Sequence, residues 1–375
     1  GGGGGGGGGG EKKPLFGKGP AAMNIPMQAY RSLPFWNVLL KRLGAERDFR
    51  KAAVEVEVCQ PEEVEDIPPP VSLPGQLELI KGVTKHDTLA KQISAAQKTT
   101  LHHAPLIRYV LKDCVVADHG VEFLAGSSRK HSLRRTHLLT PRLTEGASAL
   151  YSMSPVSHAY FGHFLTDACS TALLAENDQA LLLDIDPAWP HAAGYAEAFR
   201  LAPAPSVPML VRRLTVFQDH GQGSHKRERY RELRKRVAER FGPPGKACET
   251  VFLRRGATGA ARLIADEDRL VDTLAAQGVR IVSLKGMDLG TLADELRHAQ
   301  TVITIEGSHV THAYYLAPSG MNLCILMPED HATFIHNGLA HAFGGRFGYV
   351  ICQRQGKYYQ IEASSILKTI DFFDK

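Results

Sequence analysis

The sequence has no CxxC pair and no run of about 18 consecutive apolar residues. Six cysteines (Cys59, Cys114, Cys169, Cys248, Cys324, Cys352) are instead scattered through the chain, which suits small core residues of a reducing compartment rather than a disulfide framework. The missing apolar run leaves no segment able to cross a membrane as a helix. The start lacks a positive segment leading into an apolar one, so it does not read as a signal peptide. No GxGxxG occurs at the first strand of the second half, and GxxxxGK[ST], HExxH and GxSxG are absent. Their absence argues against a nicotinamide-binding fingerprint, a P-loop, a zincin and a nucleophile elbow. Neither sign of charge dominates: 44 Lys and Arg face 39 Asp and Glu, and the net charge of +5 is too mild to imply a nucleic-acid partner.

What remains is a chain of 375 residues, 43% apolar and 22% charged, long enough for two globular domains. Its first ten residues are all glycine, and residues 1–20 are expected to be disordered or vector-derived. Ser32 to Leu43 reads as a helix with Phe35, Trp36, Leu39, Leu40 and Leu43 at helical spacing and Lys41 and Arg42 beside them. An ordinary packing helix is the expected reading, with peripheral membrane contact as the alternative. Glu55 to Asp66 is acidic and runs into Pro68-Pro69-Pro70, an extended connector. Residues 106–124 read as strands with a hairpin at Asp118-His119-Gly120, 160–176 as a helix, 181–185 and 207–216 as strands, and 225–241 as a basic helix with a solvated face.

Gly242, Pro243, Pro244 and Gly245 mark the expected domain boundary. Beyond it, strands at 250–254, 279–284, 301–305 and 321–328 alternate with helices at 266–277, 291–299 and 308–316. That rhythm implies a parallel sheet with helices on both faces. The expected division is an amino-terminal α/β domain over 21–243 with an N-terminal extension, a Rossmann-like domain over 244–345, and a strand and helix segment over 346–375.

Ligands of such sheets bind beyond the carboxyl ends of the strands. Three of these ends are polar: Arg254 and Arg255 followed by Arg262, Ser283 to Lys285, and Glu306-Gly307-Ser308 leading into a helix. Guanidinium forks and helix-terminal amides suit a diphosphate. In the first half, His163 and Asp167 sit at i and i+4, so they share a helix face and either can act as a general base. Glu306, His309 and His312 invite a metal reading, but steps of three drift around a helix, and no metal site is assigned.

These blocks resemble glycosyltransferase family 61. Gly162-His163-Phe164-Leu165-Thr166-Asp167 is similar to the family's GHFLxD helix. Leu253-Arg254-Arg255 with Arg262-Leu263-Ile264-Ala265-Asp266-Glu267 resembles its strand–Arg and R-x-I-x-N-E block, with Asp266 where Asn is usual. Glu306-Gly307-Ser308-His309-Val310-Thr311-His312 falls where many members have HGAGLTN, departing at 306, 309 and 312. The resemblance implies two Rossmann-like domains of the glycosyltransferase-B type with a deep interdomain cleft. It implies an inverting transfer from a nucleotide-diphosphate sugar to a hydroxyl of a glycan or lipid-linked glycan, in capsular or exopolysaccharide synthesis, usually without an essential metal or other cofactor. His163 or Asp167 would be the base. Arg254, Arg255, Arg262, Lys285, Glu306, Gly307, Ser308, His309 and His312 would line the donor site. The protein would be cytoplasmic, with no nucleic-acid partner. The alternatives are a non-catalytic sugar-binding module, a metal-dependent hydrolase using Glu306, His309 and His312, and a nicotinamide-dependent epimerase.

Overall fold

The computed structural model describes residues 26–85, 87–131, 134–140, 142–256 and 262–374. The polyglycine start and most of the loop after Gly256 lie outside them. In the second half, five parallel strands lie in the spatial order Arg280–Ser283, Glu249–Arg254, Ala299–Ile305, Asn322–Pro328, Phe347–Gln355. Tyr358–Gln360 and Leu263–Ile264 extend the far edge. Numbered along the chain, the five parallel strands run 2-1-3-4-5. The direction of winding therefore reverses between Glu249–Arg254 and Ala299–Ile305, and the crevice beyond that reversal is where a doubly wound sheet takes its ligand.

These strands are apolar on both sides because both faces are covered. Val251 and Leu253 look toward one layer, Phe252 toward the other. Helices Leu289–Leu296, Thr311–Leu316 and Ile335–Ala342 contribute to the first layer; Glu267–Ala276 and Ala363–Ile370 contribute to the second. Asp288 caps the helix Leu289–Leu296 by accepting from the Thr291 N–H at 3.0 Å.

The first half departs from the Rossmann-like expectation. Its sheet is mixed: Met209–Gln218, Thr144–Tyr151 and Ala180–Leu182 are parallel neighbours, whereas Leu106–Ala117, Gly120–Phe123 and Gly126–Arg129 pair antiparallel. The acidic connector is also partly strand. Glu55–Gln60 pairs with Leu106–Val110, and Glu63–Asp66 with Thr100–His103. A single hydrophobic cluster runs from Leu111, Phe164 and Tyr195 in this half to Val302, Tyr315 and Phe343 in the other. Each fully buried aromatic in it contributes roughly 2–3 kcal/mol of burial. Residues 71 and 83 reach across as well, bridging to Gly348 and Ala332.

Two further expectations change. The helix Leu33–Arg42 buries Leu33, Pro34 and Asn37 and leaves Phe35, Trp36 and Leu39 exposed, as is Leu43 just beyond it, so the stripe read as its packing face points outward. The basic helix Ser224–Phe241 is not a solvated rod: Lys226, Arg229, Tyr230, Leu233 and Val237 are buried along one side. Cys248 is exposed and Cys59 half-buried, whereas the other four cysteines are core residues; all six are free thiols.

Candidate functional site

His163 and Asp167 lie on the helical segment 161–172, whose middle, Phe164–Ala168, is a π turn. A π turn frees backbone carbonyls from the regular ladder. Here buried hydroxyls take them: Tyr315 donates to Leu165 O at 3.0 Å, Tyr230 to Thr166 O at 3.0 Å, and Ser170 to Thr166 O at 2.7 Å. The turn holds His163 Nδ1 2.6 Å from Asp167 Oδ2. Lys226 Nζ donates to Asp167 Oδ1 at 2.8 Å and to Asp219 O at 3.0 Å. Burial opposes the charge on Asp167, but Lys226 and His163 outweigh it and hold the carboxyl well below the usual range. Asp167 is therefore anionic and its oxygens are engaged. Since it accepts, His163 Nδ1 carries the proton, and the Nε2 lone pair is the group left to take a proton from a substrate. Asp167 thus orients the His163 imidazole.

The second element is the corner at the reversal of the sheet. Gly307 has φ +155°, and a Cβ there would stand 3.1 Å from His309 Nδ1 and 3.3 Å from Arg255 Nη1. Thr304 Oγ1 donates to Leu253 O at 2.7 Å and so accepts from His309 Nε2, also at 2.7 Å, leaving His309 Nδ1 an acceptor. His309 Nδ1, Arg255 Nη1 and Glu306 Oε2 are all buried without a hydrogen-bond partner among the described residues. Buried polar atoms are nearly always paired, so two atoms without a partner beside one glycine, His309 Nδ1 and Arg255 Nη1, make this corner a candidate ligand site. Arg262 Nη1 donates to Glu306 O at 3.2 Å and sits 3.0 Å from Glu306 Oε2 as an ion pair. Burial and the neighbouring Arg262 pull the Arg255 guanidinium below its ordinary pKa, against the pull of Glu306.

The two elements meet. A Cβ on Gly162 would lie 3.4 Å from Thr311 Cγ2 and 3.5 Å from Ser308 Cα, so the helix bearing His163 rests against the turn that follows Gly307. The positions at Arg255, Arg262, Glu306, Gly307, Ser308 and His309 are gathered beside it. Arg254 points elsewhere, to Glu267 at 2.9 Å and Asp268 at 2.7 Å. Lys285 is exposed on the same rim, its Cβ 3.8 Å from a Cβ placed on Gly256. Among the described residues, no group of three or more His, Cys, Asp or Glu side chains is placed to hold a metal ion. Glu306, His309 and His312 face different partners, which removes the spacing behind the hydrolase alternative.

His312 is buried between the halves of the molecule. His191 Nε2 donates to Met287 O at 2.8 Å, so its Nδ1 accepts from His312 Nε2 at 3.2 Å, and His312 Nδ1 accepts from Tyr195 Oη at 2.9 Å. Burial and the adjacent His191 push the His312 pKa down to about 3. An unfolded imidazole titrates near 6.5. The folded value is depressed, so the stability from keeping His312 neutral is complete above pH ~6.5 and is lost as pH falls toward about 3. At pH 5 the loss is about 2 kcal/mol. His312→Asn is expected to flatten this dependence, so that melting temperature falls a few degrees less than wild type between pH 7 and pH 5; an unchanged slope would refute the assignment.

The sequence reading passed over Lys226, although a signal was present: Tyr230, Leu233 and Val237 form a buried stripe that extrapolates back by four residues to Lys226. It also passed over Tyr195 and His191, and over His336, which is buried and bonds Tyr314 Oη through Nδ1 at 3.0 Å.

Residues 161–324 match the family model described as Glycosyltransferase 61. No curated protein matches the chain. Among solved structures the chain is similar to a mutant flavo-di-iron protein from Thermotoga maritima, at 10% identity and a TM-score of 0.26 over 83% of this chain and 73% of that one.

Proposed function

We propose, from the premise that residues 161–324 carry a Glycosyltransferase 61 domain, that the protein transfers a sugar from a nucleotide-diphosphate donor to a hydroxyl of a glycan acceptor with inversion. Glycosyltransferase activity follows from that family; the donor, the inversion and the acceptor are our reading. The observation that carries it is the corner around Gly307, where Arg255 Nη1 and His309 Nδ1, without hydrogen-bond partners among the described residues, and the Arg262–Glu306 pair lie beside the helix of His163.

In the proposed reaction, His163 Nε2 takes the acceptor proton, with the imidazole held by Asp167 and Asp167 held by Lys226. The freed oxygen attacks the anomeric carbon while the bond from that carbon to the diphosphate oxygen breaks. Charge grows on the departing diphosphate and is met by Arg255, with Arg262, Lys285 and the Gly307–Ser308 amides beside it. Glu306 pairs with Arg262, whereas Arg255 has no carboxylate ion pair among the described residues. Glu306 Oε2 and His309 Nδ1 are acceptors, and they suit sugar or ribose hydroxyls. The reading asks for no metal, since the guanidinium groups take that role.

The purified protein is expected to release nucleoside diphosphate saturably from at least one nucleotide sugar in a panel, with the same rate in excess chelator. Binding without release across the panel would favour the sugar-binding module; loss in chelator would revive the metal-dependent alternative. The glycosyltransferase-B architecture and a cytoplasmic role in capsular or exopolysaccharide assembly are part of the same proposal.

The exposed Phe35, Trp36, Leu39 and Leu43, beside Lys41 and Arg42, suit peripheral contact with an anionic bilayer. No helix among the described residues is long and apolar enough to cross one. The protein is expected to sediment with phosphatidylglycerol vesicles and not with neutral ones, and Trp36→Ser with Leu39→Ser is expected to abolish the binding. Equal sedimentation of this variant would refute the contact.

A further inference from the structure

A second basic cavity opens at the other end of the parallel sheet. It has a volume of about 650 Å³, and Gly242, Arg297, Ser319 and Gly344 on its wall all precede strands, which places it at their amino ends, away from the reversal corner. Its cationic lining is Arg227, Arg231, Arg234, Lys235 and Arg297, with His341 beside them and no Asp or Glu on the wall. Some of that charge is offset from behind. Glu65 meets Arg227 at 2.8 Å and His341 at 3.2 Å, Asp294 meets Arg297 at 2.9 Å, and Glu239 stands 4.0 Å from Lys235.

Arg231 and Arg234 have no carboxylate partner among the described residues. Arg234 is the telling one. Its guanidinium is largely buried and donates to the carbonyls of Tyr314 and Ala317, the latter at 2.6 Å, at the carboxyl end of helix Thr311–Leu316. Those carbonyls take two of its five N–H groups and supply only a fraction of a countercharge. Burial accordingly lowers its pKa to about 10. A concave wall of one sign focuses field and concentrates ions of the other. Phe241 and Tyr315 add apolar wall, and the volume is in the range of small-molecule sites.

We propose that this cavity binds a diphosphate group, on a ligand separate from the sugar donor. The chemistry is bidentate recognition by Arg231 and Arg234 with Lys235 at the rim. The diphosphate can come from a free nucleotide or from a lipid-linked sugar carrier, and the test separates them.

Titration calorimetry of the full chain with inorganic pyrophosphate is expected to show two sites in wild type and one in Arg255→Gln. Arg231→Glu with Lys235→Glu changes two exposed side chains, and it is expected to weaken the remaining site about tenfold or more. Arg255→Gln with no saturable pyrophosphate binding overturns the proposal, as does unchanged binding when Arg231→Glu and Lys235→Glu are added. Loss on Arg231→Glu with Lys235→Glu, but no effect of Arg255→Gln, leaves this site standing and sinks the donor-site reading instead. On Arg255→Gln, a short-chain isoprenyl diphosphate binding more tightly than pyrophosphate identifies the lipid-linked source; uridine diphosphate doing so identifies the free nucleotide.

Discussion

His163→Ala is expected to lower kcat by about 10³-fold, within the range a positioned general base supplies. The expectation rests on one proton assignment. Asp167 is ionised and accepts from His163 Nδ1 at 2.6 Å, so only Nε2 has a lone pair to offer. Asp167→Asn tests the same assignment from the other side. An amide nitrogen facing Nδ1 selects the opposite tautomer, and kcat is expected to fall about 10²–10³-fold with KM little changed. The same substitution costs stability, because the amide oxygen left facing the buried Lys226 Nζ no longer supplies a countercharge. That cost is of order 3 kcal/mol. The pH signature has a definite sign. Asp167 titrates below its unfolded value, so its contribution is full above pH ~3.9 and is lost as pH falls below that. A His163→Ala enzyme within tenfold of wild-type kcat would refute the assignment.

Arg255→Ala is expected to cost about 10²–10³-fold in kcat, and Arg254→Ala less than tenfold. The two side chains are neighbours in sequence but not in role. Arg254 closes ion pairs with Glu267 and Asp268, whereas Arg255 Nη1 is buried beside Gly307 with no hydrogen-bond partner among the described residues. Removing a charge that the protein has not neutralised removes transition-state stabilisation directly. Removing Arg254 loosens the start of helix Glu267–Ala276 and touches the reaction only through it. Measured kcat for the two single variants decides the matter, and the reverse order would overturn the placement of the leaving group.

Much of the second half was legible because its strands are buried on both faces, so their apolar runs at 250–254, 301–305 and 321–328 stand out between turn residues. The joint relevance of Arg254 and Arg255 was overread for a reason the chain itself supplies. Successive residues at a strand end point to opposite sides, so two adjacent arginines do not both face one crevice. Asp266 was noted only as a departure from Asn, yet it sits at φ +47°, a conformation both residues tolerate better than most. Strand Glu55–Gln60 was hidden because its acids read as a solvated linker, whereas Arg213 and Arg108 meet Glu55 and Glu57 across the sheet. The π turn and the His191–His312–Tyr195 chain had no local signature, since each depends on side chains more than a hundred residues apart.

The hydrophobic cluster that joins Tyr195 and Phe199 to Tyr315, and Tyr230 to Phe343, has a consequence for how the molecule comes apart. Neither half owns a complete interior, so a chain severed near Gly242 would expose on each fragment the rings that the other had covered. Heat or denaturant should accordingly produce a single calorimetric peak, and a swinging motion of one half against the other would have to break this aromatic seam before the substrate corner could widen.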